Sequence, residues 1–321
     1  LGITVPIAVH ADHYGLKNEK DMLKGEVEIP SLFDAGITSI AIDASHLPDD
    51  QNLLANIRMN RFVPSWAGLE TEVGEIKGSQ GLSTPDEARF LIQGLNANQI
   101  FPDWIALNNG TTHGIEESDA GIQVELTATI HQAIAKYKVS GAQHGTSGNS
   151  SERLREIAIK TNTTKANVAT ALQMISWGVQ VNDYGNAFLD DHGNFIKLKD
   201  AGITEELWSE MVAYADAHQL KKGDYKKLNL PFENKILGQA RAIRDRMAEG
   251  VAEFVFDLLT NVFNAADTAP LAIEAILENG SYDPGPKVQQ IENLAEWTPE
   301  KIRQKAKALD SDKGPEGDFE D

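Results

Sequence analysis

The chain has 321 residues, 41% of them hydrophobic and 24% charged, a composition of globular rather than disordered proteins. Its net charge of −19 argues against binding a nucleic-acid phosphate backbone, and no apolar run approaches the roughly 20 residues a membrane span needs. With no cysteine, disulfides, thiolate nucleophiles and Cys-ligated zinc are excluded; this usage fits the cytoplasm, and no signal peptide is visible.

The first predicted strand, Ile3–Val9, ends in His10-Ala11-Asp12-His13. Further strands are predicted at Ser39–Ile42, Gly68–Val73, Trp104–Leu107, Ser140–Gln143 and Lys165–Val168. Helical patterns lie between most of them. Thr84 opens one, with Pro85 at its first position and Glu87 three residues on, the arrangement of a capping box. Glu125–Lys136 carries Leu126, Ile130, Ala133 and Ile134 at helical spacing, and Ser150–Lys160 sets Leu154, Ile157 and Ala158 on one face. Strands recur at about thirty residues, the size of a βα unit, which predicts a parallel sheet covered by helices. Chemically able residues follow nearly every strand: His13, Asp43, Glu72, His113, His144 and Asn167. An open doubly wound sheet uses only the strand ends at its switch point, so contributions from every strand favour a TIM (β/α)8-type barrel with its site on the C-terminal face. Six units do not close eight strands, and Leu1 falls inside a strand-like run. Two βα units are therefore expected ahead of Leu1.

After Asn167 the pattern changes. A helix over Ala169–Trp177 is followed by a loop-like stretch, 178–202, and by helices near Glu205–His218, Lys235–Asn264, Pro270–Asn279 and Pro299–Leu309. The expected organisation is a partial barrel carrying the active site over 1–177, a mostly helical region packing on it over 178–309, and an acidic, disordered tail over 310–321. His46, His131, His192 and His218 are expected to be solvated, as are the lysines of 221–227, and the five tryptophans to pack.

His13, His113 and His144 sit at strand ends or just beyond, the last two among small residues that allow close approach. Three imidazoles with an open position form a recurring catalytic zinc shell, in which zinc acts as a Lewis acid or activates water. Asp12, beside His13, is placed to move a proton. The competing reading is three unrelated polar loop residues. Two loops lead from strand to helix in a manner suited to an anion, Gly145-Thr146-Ser147-Gly148 and Asn167-Val168-Ala169-Thr170.

Six segments together resemble the class II, zinc-dependent fructose-bisphosphate and tagatose-bisphosphate aldolases: His-Ala-Asp-His (10–13), Ile-Asp-Ala-Ser-His-Leu-Pro (42–48), Leu-Glu-Thr-Glu-Val-Gly (69–74), Gly-Thr-Thr-His-Gly (110–114), His-Gly-Thr-Ser-Gly (144–148) and Lys-Ala-Asn-Val-Ala-Thr (165–170). They occur in the family's order at similar spacing and cover about residues 1–177. The resemblance implies a TIM barrel, a homodimer or larger, and reversible cleavage of a ketose bisphosphate to dihydroxyacetone phosphate and an aldehyde. It implies catalytic zinc on His13, His113 and His144, a second divalent metal position at Asp43 and Glu72, and a place for a monovalent cation. Asp12 becomes the proton-transfer acid. Gly114, Gly145, Thr146 and Ser147, with Asn167, Val168, Ala169 and Thr170, become the holders of the dihydroxyacetone-phosphate half.

The chain also departs from the family. Ile115-Glu116-Glu117 stands where many members place a lysine, and Gly285 follows Tyr282-Asp283-Pro284 where some carry an arginine for the distal phosphate. These departures keep two alternatives open: an aldolase-fold enzyme for another ketose phosphate, and a non-catalytic fragment or subunit.

Overall fold

A computed structural model describes residues 7–74, 81–110, 121–183, 185–280 and 282–309. Strands and helices alternate through the first half: β1 (His10–Gly15), α1 (Glu19–Asp34), β2 (Ser39–Asp43), α2 (Asp49–Met59), β3 (Gly68–Val73), α3 (Pro85–Ala97), β4 (Trp104–Leu107), α4 (Val124–Ile134), β5 (Ser140–Gln143), α5 (Ser151–Lys160), β6 (Thr163–Ala166) and α6 (Thr170–Trp177). The strands form one parallel sheet in the order β1-β2-β3-β4-β5-β6, an open, partial barrel wall with its helices outside.

Strand periodicity explains the layering. Ile40 and Ile42, Leu69 and Val73, and Ile105 and Leu107 point outward and join Leu53, Leu91, Leu95, Ile130 and Ile134 of the helices in the main apolar core. The capping box of α3 is present: Thr84 accepts from the Glu87 N–H at 3.2 Å, and Glu87 accepts from the Thr84 N–H at 2.8 Å. The inner face is polar and opens with a close approach. A Cβ on Gly68 would lie 2.9 Å from Ser39 Cβ and 3.3 Å from the Trp104 ring, so only glycine fits between them.

The expected strands at Gly68–Val73, Trp104–Leu107 and Ser140–Gln143 appear with those bounds. The first and last do not. The ladder begins at His10, paired with Ser39, whereas Ile7–Val9 is irregular; Ile7 and Val9 are 80% and 50% exposed and have no apolar layer to enter. The remainder of the predicted strand, 3–6, lies outside the described residues. The last strand shifts upstream to Thr163–Ala166, where an extra residue opposite Gly141 and Ala142 accommodates Thr164.

Beyond α6, residues 178–202 are a loop pinned by antiparallel bridges at Val179–Lys197, Val181–Ala187 and Leu189–Phe195. Then come α7 (Glu205–Ala217), α8 (Asn229–Leu237), α9 (Arg241–Asp257), α10 (Ala269–Asn279) and α11 (Pro299–Ala306). The helix expected over Lys235–Asn264 is broken after Leu237, with Gly238 at the end of α8. Trp177, Phe195, Trp208, Met211, Tyr225 and Phe232 build a second apolar cluster between α6 and this region. Lys222, expected in solvent, lies over the Phe195 and Tyr225 rings. His131, also expected in solvent, is buried on α4. The tail, 310–321, lies outside the described residues.

Candidate active site

The inner face of the sheet gathers an unusual number of charged groups, and a bulge in β1 delivers two of them. Ala11 pairs with Ile40 and Tyr14 with Ile42, so β1 spends one more residue than β2 over the same span. Ala11 and Tyr14 pack on the helix side, where the Tyr14 hydroxyl donates to Glu28 at 2.9 Å. Strict alternation would send Asp12 and His13 to opposite faces. The extra residue, with His13 at a left-handed φ of 47°, turns both inward. The cluster is thus built within the strand, not beyond its end.

His13 Nδ1 lies 3.1 Å from Glu72 Oε1 and 3.4 Å from Asp43 Oδ2, and its ring meets that of His144 edge-on with centroids 4.4 Å apart. Donor atoms of Asp12, His13 and His144 all lie within 4.8 Å of one another, as do those of His13, Asp43 and Glu72. Asp43 Oδ1 also accepts from the Ser45 hydroxyl at 2.6 Å and the Ser45 N–H at 3.0 Å. Burial would raise the Asp43 pKa, but the bonds from His13 and Ser45 hold it below the usual carboxylate range. For Glu72, burial and the neighbouring Asp43 charge win over His13 and push its pKa up to about 7.

Asp12 is clamped by the opposite strand. Asn167 Nδ2 donates to its Oδ2 at 2.9 Å and lies 3.2 Å from Oδ1, and Lys165 Nζ reaches Oδ1 at 3.3 Å. Burial opposes ionisation of Asp12, but the His10 bond and the charges of Lys165, His144 and His13 outweigh it and hold the carboxyl ionised.

The donor set suits zinc. It offers imidazoles and carboxylates, and Glu72 Oε1 is buried without a well-formed hydrogen bond while facing His13. His113 and Gly114 lie outside the described residues. Of the other expected residues, the structure unites Asp12, His13, Asp43, Glu72 and His144. It also brings the 145–148 loop to the start of α6, where the Ala171 N–H donates to Ser147 Oγ at 3.4 Å. Gly145 takes a φ of 60°, and α6 begins after Ala169 with no side chain of the cap residue bonded to its first turn. Asn167 is engaged with Asp12, and Val168 lines an apolar cavity with Leu154, Leu172, Leu258 and Phe263.

Sequence reasoning missed Glu70, Lys165 and His10. Glu70, fully buried, accepts from His144 Nε2 at 2.9 Å and from Lys165 Nζ at 2.5 Å. His10 donors and acceptors meet Ser39 Oγ at 2.8 Å and the Asp12 and Glu70 carboxylates at 3.5 Å. A signal existed: Glu70 and Glu72 are two apart in a strand and so share its inner face.

The Tyr282-Asp283-Pro284-Gly285 segment, singled out as a departure from the family, lies elsewhere. Tyr282 packs edge-on against Trp66, just before β3 begins, and Lys287 pairs with Asp103, just before β4. Tyr282-Asp283-Pro284-Gly285 therefore sits by the N-terminal ends of the strands, away from the histidines.

Comparison with known proteins agrees with this architecture. A fructose-bisphosphate aldolase from Streptococcus pyogenes is 28% identical over 177 residues, covering 54% of this chain and 56% of that protein. One from Mycoplasma pneumoniae is 28% identical over 193 residues, covering 59% and 62%. The chain thus spans little more than half the length of these relatives. Among solved structures, a provisionally assigned fructose-1,6-biphosphate aldolase from Coccidioides immitis superposes with a TM-score of 0.52 at 17% identity, covering 84% of this chain and 75% of that one, a likeness of fold. A sequence profile described as fructose-bisphosphate aldolase class-II matches residues 2–219, so the chain belongs to the class II fructose-bisphosphate aldolase family.

Proposed function

We propose that this chain carries the active face of a zinc-dependent aldolase. The reaction is reversible cleavage of a ketose bisphosphate of the fructose 1,6-bisphosphate type to dihydroxyacetone phosphate and an aldehyde. The supporting observation is the convergence of Asp12, His13 and His144 within 4.8 Å on the inner face, backed by Asp43 and Glu72. On this reading His13 and His144, with His113, hold the zinc, and Asp43 and Glu72 form the second position. Zinc, when bound, supplies Lewis acidity toward the ketose carbonyl. Asp12, held by Asn167 and Lys165, takes the proton of the hydroxyl beside the breaking carbon–carbon bond and returns it in condensation. N–H groups and hydroxyls of 145–147 and of the α6 start bind the phosphate of the dihydroxyacetone half.

The reading includes a (β/α)8-type barrel. Closing it takes two further parallel strands between β1 and β6, which among the described residues pair on one edge only, with β2 and β5. Residues 1–177 then carry the active site, and 178–309 pack on the barrel as a helical extension. The same reading assigns a cytoplasmic homo-oligomer acting on a small sugar phosphate, with neither nucleic acid nor membrane as partner. Among the described residues no helix is long and apolar enough to cross a membrane.

A second reading, an aldolase for another ketose phosphate, is favoured by the place of Tyr282-Asp283-Pro284-Gly285 at the far end of the strands. Metal analysis joined to a coupled cleavage assay over a panel of ketose mono- and bisphosphates tests both. About one zinc per chain, with cleavage lost on chelation and regained with zinc, is expected. A folded protein that retains no zinc and cleaves nothing in the panel would refute the proposal.

A further inference from the structure

The Glu70 carboxylate shares the inner face with the candidate ligands, its donor atom within 4.8 Å of those of Glu72 and His144, and its polar contacts lead to His144 and, through Lys165 and His10, to Asp12. We infer that Glu70 is a positioning residue: bridged by the Lys165 ammonium, it fixes His144 for the metal and Asp12 for the proton. The inference rests on the metal reading above and adds to it two residues that the ligand set does not contain.

Three features carry it. First, Glu70 is fully buried, with Ala41 and Trp104 as its ladder neighbours, where an unpaired carboxylate would be costly to the fold. Both of its oxygens are committed. Oε1 accepts from His144 Nε2 at 2.9 Å, and Oε2 accepts from Lys165 Nζ at 2.5 Å, with His10 Nε2 at 3.5 Å. Second, the bond to His144 has a chemical consequence. An imidazole donating Nε2–H to a carboxylate carries its lone pair on Nδ1, is locked in ring orientation and becomes a more basic ligand. Third, His10, Asp12 and Glu70 converge on one point as a cation-shaped trio, and Lys165 already brings its ammonium to the two carboxylates of that trio, 3.3 Å from Asp12 Oδ1. A fixed internal cation there neutralises Glu70 and orients Asp12. It leaves the divalent metal one side of Asp12, that of His13 and His144.

The test uses the whole chain stripped of metal and titrated with zinc against a chromophoric chelator, wild type beside Glu70→Gln. The substitution keeps size and shape but removes the charge. Zinc affinity of the variant should fall by about 10–100-fold, as is typical when the carboxylate behind a ligating histidine is lost. Near-ultraviolet circular dichroism of the metal-free proteins reports whether the fold is kept. Equal zinc affinity in a folded variant overturns the inference while leaving the metal reading standing; a wild type that takes up no zinc overturns both. If Glu70→Gln does not fold, long-range proton–nitrogen NMR of the wild-type histidine rings decides instead. An Nε2–H tautomer at His144 supports the inference, and an Nδ1–H tautomer overturns it.

Discussion

His131 makes the acid stability of this chain a quantitative test of the packing around β5. The residue is 5% exposed on α4, and its Nδ1 accepts the Asn162 N–H at 3.2 Å. The rest of the ring presses on the strand: a Cβ on Gly141 would lie 2.3 Å from its Cε1 and 2.5 Å from its Nε2. Protonation would place a charge in this apolar layer and cost Nδ1 its role as acceptor. Burial accordingly lowers the pKa from 6.5 to about 4. Between those values the unfolded chain binds a proton that the native chain does not, so this contribution to stability is intact above pH 6.5 and is lost as pH falls toward 4. The full loss is roughly 3 kcal/mol, of which about 1 kcal/mol is gone by pH 5.5. Urea unfolding followed by tryptophan fluorescence at pH 7.5 and pH 5.5, for wild type and His131→Gln, isolates the effect, since other titrating groups cancel in the difference. Wild type should lose about 1 kcal/mol more than the variant between the two pH values. Parallel losses would show that His131 titrates normally and that the packing described here is wrong.

Three further outcomes are expected. Asp12→Asn should lower cleavage by about 10²–10⁴-fold, measured by a coupled assay, with metal content by elemental analysis unchanged. Removing metal with a chelator should lower the thermal midpoint, and zinc at about 100 times its dissociation constant should restore roughly 3 kcal/mol; a midpoint insensitive to zinc would count against the site. Thr84→Ala removes the acceptor for the Glu87 N–H and should cost about 1 kcal/mol in urea unfolding without changing zinc affinity.

The legible part of this molecule is the part governed by local periodicity. Strands β2 to β4 announce themselves because their apolar residues alternate toward a helical layer, and α3 because its capping box is written in four consecutive residues. His131 was readable by the same rule. Thr127, Ile130, His131 and Ile134 fall at helical spacing on one buried face, and the polarity of histidine masked a core position. Tertiary partners were not readable in this way. Glu70 and Lys165 are 95 residues apart, and their meeting depends on the curvature of six strands bringing β3 and β6 to one interior point.

The β1 bulge shows why a motif can be recognised before it can be explained. Read as a plain strand, His10-Ala11-Asp12-His13 puts Asp12 and His13 on opposite faces, and the chemistry required of the pair becomes impossible unless the strand has already ended. The end of the apolar run likewise predicted the strand's end near Val9. The structure resolves the conflict differently, by continuing the ladder to Gly15 and inserting one residue, with His13 in a conformation that few side chains other than those of histidine, asparagine and aspartate adopt. The arrangement gains rigidity. Asp12 and His13 are held on both sides by paired backbone, and Asp12 is clamped from across the sheet by Asn167 and Lys165. Adjacent residues such as Asp12 and His13, in the roles proposed for them, can serve one reacting centre only if the backbone between them breaks alternation, and a bulge within a paired strand does so while keeping both side chains fixed.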